Sequence, residues 1–148
     1  MPLDIGTSAA AHAVQFAVAP VFLLAAVGGL LAVLSGRLGR VIDRGRVLEA
    51  GLASSDEERR TELERDLRTL AARALLINRS ITLVTICGLL VCTVIAALFI
   101  GEIFALDFAL PISFLFVIAM LALIGGLLTF LREVHIATRT VRIGPHRR

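Results

Sequence analysis

The chain has 148 residues, of which 57% are hydrophobic and 18% are charged, and its formal net charge is +3. A soluble domain normally carries about 25% charged residues, so the composition argues against a water-soluble fold. All 15 basic residues are arginines, and they fall only in residues 37–79 and 132–148. Membrane topology and anionic lipid headgroups account for such arginines, so no nucleic-acid partner is expected.

Three apolar tracts separate these basic segments, and none contains Asp, Glu, Lys or Arg. They comprise residues 13–34, 80–100 and 108–131. Each is long enough, at about 1.5 Å per residue, to cross a hydrocarbon core of about 30 Å. We therefore predict an all-α integral membrane protein forming a single membrane domain over residues 1–148, with transmembrane helices at about 13–35, 80–101 and 108–131. Because arginines favour the cytoplasmic side, the N-terminus is predicted outside and the C-terminal tail, 132–148, in the cytoplasm.

The first and third transmembrane helices carry small residues at helical spacing. The predicted helix-packing residues are Gly28, Ala32 and Gly36 in the first helix and Ala122 and Gly126 in the third. Such faces allow helices to approach closely within a membrane. Since three short helices bury little surface by themselves, a homo-oligomer is expected.

The segment 37–79 is too charged for the bilayer but has two heptad patterns, which predict a cytoplasmic helical hairpin with coiled-coil packing. Its arms are predicted to continue the first transmembrane helix over residues 38–50 and to lead into the second over residues 57–78. The predicted seam consists of Leu38, Val41 and Leu48 on the outgoing arm and Leu63, Leu67 and Leu70 on the returning arm. Between the arms, Ser55 and Glu58 have the spacing of a capping box. The charged faces of the hairpin are either solvated or a docking surface for a protein partner.

Small and polar residues form a stripe along the second transmembrane helix. The stripe consists of Asn78, Thr82, Thr85, Gly88 and Cys92. It could line a pore in an oligomer, where hydroxyl and amide groups replace part of an ion's hydration shell. Alternatively, these side chains form hydrogen bonds within their own helix and with neighbouring helices, which requires no water. Cys87 and Cys92 are interpreted as small packing residues.

A second group of polar residues is predicted near the outer surface. His12 and Gln15 lie one turn apart at the outer end of the first helix, at a depth close to that of Glu102 and Asp107. These four residues are either an outer vestibule that attracts cations or interfacial anchors in a chain without Trp or Tyr.

Enzyme signatures are absent from the sequence. His12, His135 and His146 have no metal-ligand spacing, and no HExxH, GxSxG or phosphate-binding glycine motif occurs. We therefore expect no catalytic activity, no metal and no cofactor. No Asp, Glu, Lys, Arg or His lies within the apolar tracts, which argues against proton-coupled transport.

Four stretches carry a family resemblance. They are residues 11–24 (AHAVQFAVAPVFLL), 37–44 (RLGRVIDR), 76–81 (LINRSI) and 130–134 (FLREV). Together they resemble the bacterial family called domain of unknown function 2721, over nearly the whole chain. The resemblance supports the three-helix arrangement and implies the bacterial inner membrane, but no activity. The layout alone is similar to the three-helix core of membrane protein insertases, although the membrane-embedded arginine of the bacterial insertases is lacking.

The sequence thus leads to two functional hypotheses for a homo-oligomeric membrane protein. The first is a passive channel-like conduit for small ions, lined by the second transmembrane helix. The alternative is a non-conducting membrane scaffold, or an insertion or assembly factor, whose cytoplasmic hairpin binds a partner.

Overall fold

Three helices make up the structure, a computed structural model that describes residues 3–52, 55–104 and 109–140. They are α1 (Leu3–Leu52), α2 (Glu57–Phe104) and α3 (Ala109–Thr140), and no strand occurs in these ranges. Each helix contains a segment long and apolar enough to cross a membrane. The prediction of an all-helical chain with three potential membrane spans is confirmed.

Residues 37–79 do not form a separate element. Residues up to Leu52 belong to α1, and residues from Glu57 belong to α2. Leucine, arginine and glutamate are all good helix formers, so these helices continue beyond the apolar tracts without a break. Likewise, α3 extends beyond the third apolar tract to Thr140.

The start of α2 differs from the capping-box prediction. The amide of Arg60 donates to the Asp56 carbonyl at 2.9 Å, which makes Asp56 the N-cap residue. The Ser55 hydroxyl instead donates to the Gly51 carbonyl at 2.5 Å and thus satisfies the end of α1. Glu57 and Glu58 occupy the first turn of α2, where the helix dipole favours negative charge.

The chain divides into two compact units, each containing part of all three helices. The first unit comprises the chain up to Ala32 together with Leu83–Ile124. Its buried side chains are Pro20, Val27, Val84, Cys87, Val91, Val94 and Ala119. Gly88 provides a close approach here, because a Cβ atom at this position would lie 3.3 Å from Val27 Cγ1. The lack of a side chain therefore lets α2 pack directly on α1 in this unit.

The second unit comprises Val33–Thr82 together with the chain from Gly125 onward. Leu34, Val41, Leu70 and Ile77 are its buried apolar side chains. Of the predicted seam, Val41 and Leu70 are buried, whereas Leu38, Leu48, Leu63 and Leu67 are half-buried. This unit also buries two polar residues, Ser80 and Glu133.

Candidate functional site

A buried carboxylate lies in the second unit, two residues beyond the third apolar tract. The side chain of Glu133 has no exposed surface. Arg73 donates to Glu133 Oε1 through Nε at 3.1 Å and through Nη2 at 2.9 Å. Arg37 Nη2 lies 3.6 Å from Oε2, which places it within ion-pairing range. We call Arg37, Arg73 and Glu133 the Glu133 cluster; it joins all three helices.

The Glu133 cluster is unevenly bonded. Oε1 accepts both hydrogen bonds from Arg73, whereas Oε2 is buried without a hydrogen-bond partner in the described part of the chain. Arg37 is held on a second side by Phe130, since its Cζ atom lies 5.1 Å from the ring centroid. Arg37 and Arg73 keep 27% and 21% of their side-chain surfaces exposed. Loss of the arginines would therefore leave a fully buried charge without a partner, whereas loss of the carboxylate would leave arginines that still reach solvent.

A second polar contact joins α2 and α3 within the same unit. The buried hydroxyl of Ser80 donates to the Gly126 carbonyl, and its oxygen lies 3.0 Å from Thr129 Oγ1. Thr129 in turn donates to the Gly126 carbonyl at 2.8 Å. Small and hydroxyl residues at such contacts allow close helix packing and provide interhelical hydrogen bonds. The predicted packing residue Gly126 is buried here, whereas Ala122, in the other unit, is half-buried.

The predicted pore-lining stripe does not share one environment. Asn78, Thr82, Thr85 and Cys92 are exposed on the single chain. Gly88 is buried against Val27 and Leu24 of α1. The Thr82 hydroxyl donates to the Asn78 carbonyl at 3.0 Å, a bond within its own helix. Pore lining by these residues stays a prediction, and Gly88 has a packing role within the chain.

The predicted outer vestibule is only partly described. Gln15 lies in α1 and is exposed. The side chains of His12 and Glu102, and Asp107 as a whole, lie outside the described residues. Their assembly into a vestibule therefore stays a prediction.

The small-residue face of α1 is uncovered. Gly28, Ala32 and Gly36 are all exposed. A Cβ atom placed on Gly28, Gly29, Gly36 or Gly39 would meet no atom of the described chain within 4 Å apart from its sequence neighbours and the backbone of its own helix turn. The face is therefore open to lipid or to another protein.

The Glu133 cluster and the buried Ser80 were missed by sequence reasoning. No role for Glu133 is predicted from the sequence, although its position along the helix indicates one. It lies seven residues after Gly126 and three after Phe130, hence on the helix face that carries the small packing residue. Among the described side chains, no group of three His, Cys, Asp or Glu residues could hold a metal ion.

These features define a class: an all-helical protein with three potential membrane spans and a buried ion-pair cluster beside the apolar tracts. The model of a protein family of unknown function, DUF2721, matches residues 17–143. The chain therefore belongs to this family, as the resemblance in the sequence predicted. No curated protein and no solved structure matches the chain.

Proposed function

We propose that this protein is a homo-oligomeric scaffold of the bacterial inner membrane that conducts no ions and binds a protein partner through its charged arms. The charged arms are residues 37–52 of α1 and 57–79 of α2, and we place them in the cytoplasm. Arginines concentrate in the arms and in the chain after residue 131, which supports this orientation.

The observation that carries the proposal is the contrast between the apolar tracts and the arms. Within the tracts, the hydroxyls of Ser80, Thr82 and Thr93 donate to backbone carbonyls of the chain itself. Satisfied groups of this kind need neither water nor an ion. In the arms, by contrast, most charged side chains are exposed. Among the described arm residues, only Arg60 and Glu64 form an ion pair with each other, at 3.8 Å. The charged side chains of the arms are therefore available for ion pairs with a partner protein.

A channel is the second candidate, and Thr85 favours it. This residue is exposed in the middle of an apolar helix, and its hydroxyl has no hydrogen bond within the described chain. An unbonded hydroxyl in hydrocarbon is unfavourable, so Thr85 is expected to meet either another copy of the chain or water. Contact with another copy agrees with the scaffold, and contact with water agrees with the channel.

The two cysteines provide a test that separates the candidates. In a Cys87→Ala variant, the remaining Cys92 reports on the exposed stripe. Because a thiol without access to water cannot form the reactive thiolate, the scaffold predicts no reaction with a membrane-impermeant thiol reagent in vesicles. The same vesicles should show no ion flux. As a matched control, Phe104→Cys in a background lacking both cysteines should react, because position 104 ends α2 and is exposed.

Reaction of Cys92 in intact vesicles, together with an ion flux that the reagent alters, would replace the scaffold by the channel. Complete labelling after denaturation in detergent would confirm that a lack of reaction reflects inaccessibility and not an oxidised thiol.

The orientation has a test of its own. In a background without native cysteines, Asp56→Cys and Phe104→Cys place single thiols at the start of α2 and at its end. In intact bacterial cells, an impermeant maleimide should label position 104 and not position 56, because the arginine distribution retains the arms inside. Labelling of position 56 should appear only after the membrane is opened. The reverse pattern would contradict the proposed topology.

A further inference from the structure

A groove lined by arginines lies between α1 and α2 in the second unit. Its volume is about 390 Å³, and it is lined by Val33, Arg37, Arg40, Val41, Arg44, Leu70 and Arg73. We call it the arginine groove. Four of its seven lining residues are arginines and none is acidic. The positive charge of the arginine groove therefore favours the binding of an anion.

The groove has two arginines that are held in place and two that are free. Arg37 and Arg73 are fixed by Glu133, and Arg37 also by Phe130. Arg73 uses Nε and Nη2 for Glu133, so its Nη1 is left to donate elsewhere. Arg40 and Arg44 are exposed and form no ion pair within the described residues.

The charge around the groove stays positive even when the buried carboxylate is included. Four guanidinium groups against one carboxylate, Glu133, leave a net +3. Asp66 is a nearby acid, since it lines a neighbouring groove together with Arg44 and Arg73. Counting Asp66 lowers the net charge to +2, but it makes no ion pair within 4 Å in the described chain. The excess charge, and the free donors that come with it, are available to an external ligand.

We propose that the arginine groove binds the phosphate group of an anionic membrane lipid. Arginine forms strong charge-assisted hydrogen bonds with phosphate oxygens. Arg37 lies three residues after the end of the first apolar tract, so the groove begins at the level where lipid headgroups lie. Val33 belongs to the tract itself and offers an apolar surface to the acyl chains beside the phosphate. This inference depends on insertion of the chain in a membrane, but not on self-association.

The test uses native mass spectrometry of the full chain, purified in detergent and supplied with phosphatidylglycerol or phosphatidylcholine. Wild-type protein is expected to retain phosphatidylglycerol preferentially. The variant Arg40→Gln with Arg44→Gln leaves the Glu133 cluster intact and should weaken this retention by about 30-fold, since each arginine near an anionic headgroup contributes about 1 kcal/mol. Retention of phosphatidylcholine should change much less, because its choline group neutralises its phosphate.

The matched control removes the same charge from the edges of the other two apolar tracts. Arg79 and Arg132 are both exposed, flank these tracts and do not line the groove. The variant Arg79→Gln with Arg132→Gln should retain phosphatidylglycerol like the wild type. An equal loss in both double variants would overturn the groove and indicate general surface attraction. Displacement of the lipid by millimolar inorganic phosphate would overturn the lipid assignment in favour of a soluble phosphate ligand.

Discussion

Replacing Arg73 with methionine is expected to lower the free energy of unfolding by about 3–5 kcal/mol, because it leaves a buried carboxylate without its hydrogen-bonding partner. Glu133 has no exposed surface, and both of its hydrogen bonds come from Arg73. Arg37 remains at 3.6 Å from the other oxygen, so the charge is only partly compensated. Titration with a denaturing detergent, with unfolding monitored as the loss of helicity, would measure this change in the free energy of unfolding.

The same helix provides the control. Arg68 is exposed and forms no ion pair within the described residues, so Arg68→Met should change stability by less than about 0.5 kcal/mol. Combining Arg73→Met with Glu133→Leu should restore most of the lost stability, since the charge is removed together with its partner. Equal losses from Arg68→Met and Arg73→Met, or a double variant that merely sums the single losses, would exclude the coupling between Arg73 and Glu133.

The second large effect is expected at the small-residue face of α1. At 100° per residue, Ala25 lies within the face formed by Gly28, Ala32 and Gly36, whereas Ala26 lies outside it. Ala25→Leu should weaken self-association by about 1–3 kcal/mol, because the added side chain separates helices that approach through small residues. Both alanines are exposed on the single chain, so neither change disturbs its own core.

Ala26→Leu makes the same change at nearly the same depth and should leave association unaltered. Energy transfer between donor-labelled and acceptor-labelled copies in vesicles, measured as the protein is diluted with lipid, would compare the two variants. If Ala26→Leu dissociated the copies as strongly as Ala25→Leu, or if neither changed the transfer, the small-residue face would not be the contact.

The sequence predicted the number and type of the helices, because a helix is one of the few structures in which an apolar tract satisfies its backbone hydrogen bonds within a membrane. It also predicted that the first helix continues over residues 38–50 and that residues 57–78 lead into the second, as α1 and α2 do. Charged segments such as residues 57–66 are too polar for the hydrocarbon core of a bilayer. Their residues are nevertheless good helix formers, so α2 continues without a break from this charged segment into its apolar tract.

The candidate site was harder to predict, because burial depends on which face of a helix meets its neighbours. Gly88 shares a stripe with Thr85 and Cys92 on the helix surface, yet it lies at the edge that packs on α1. Glu133 is an ordinary tail acid in a count of charges, and only the arrangement of three helices places it between Arg37 and Arg73. Periodicity identifies a face but not its partner.

The mass of the wild-type protein in membrane-derived nanodiscs would test the proposed assembly most directly. The chain has a mass of 15.8 kDa. A homo-oligomer predicts that native mass spectrometry finds the mass of two or more chains. The Ala25→Leu variant should shift the distribution toward the single chain, and Ala26→Leu should not. A wild-type protein that is found only as a single chain, at the density at which it occurs in the membrane, would contradict the proposal.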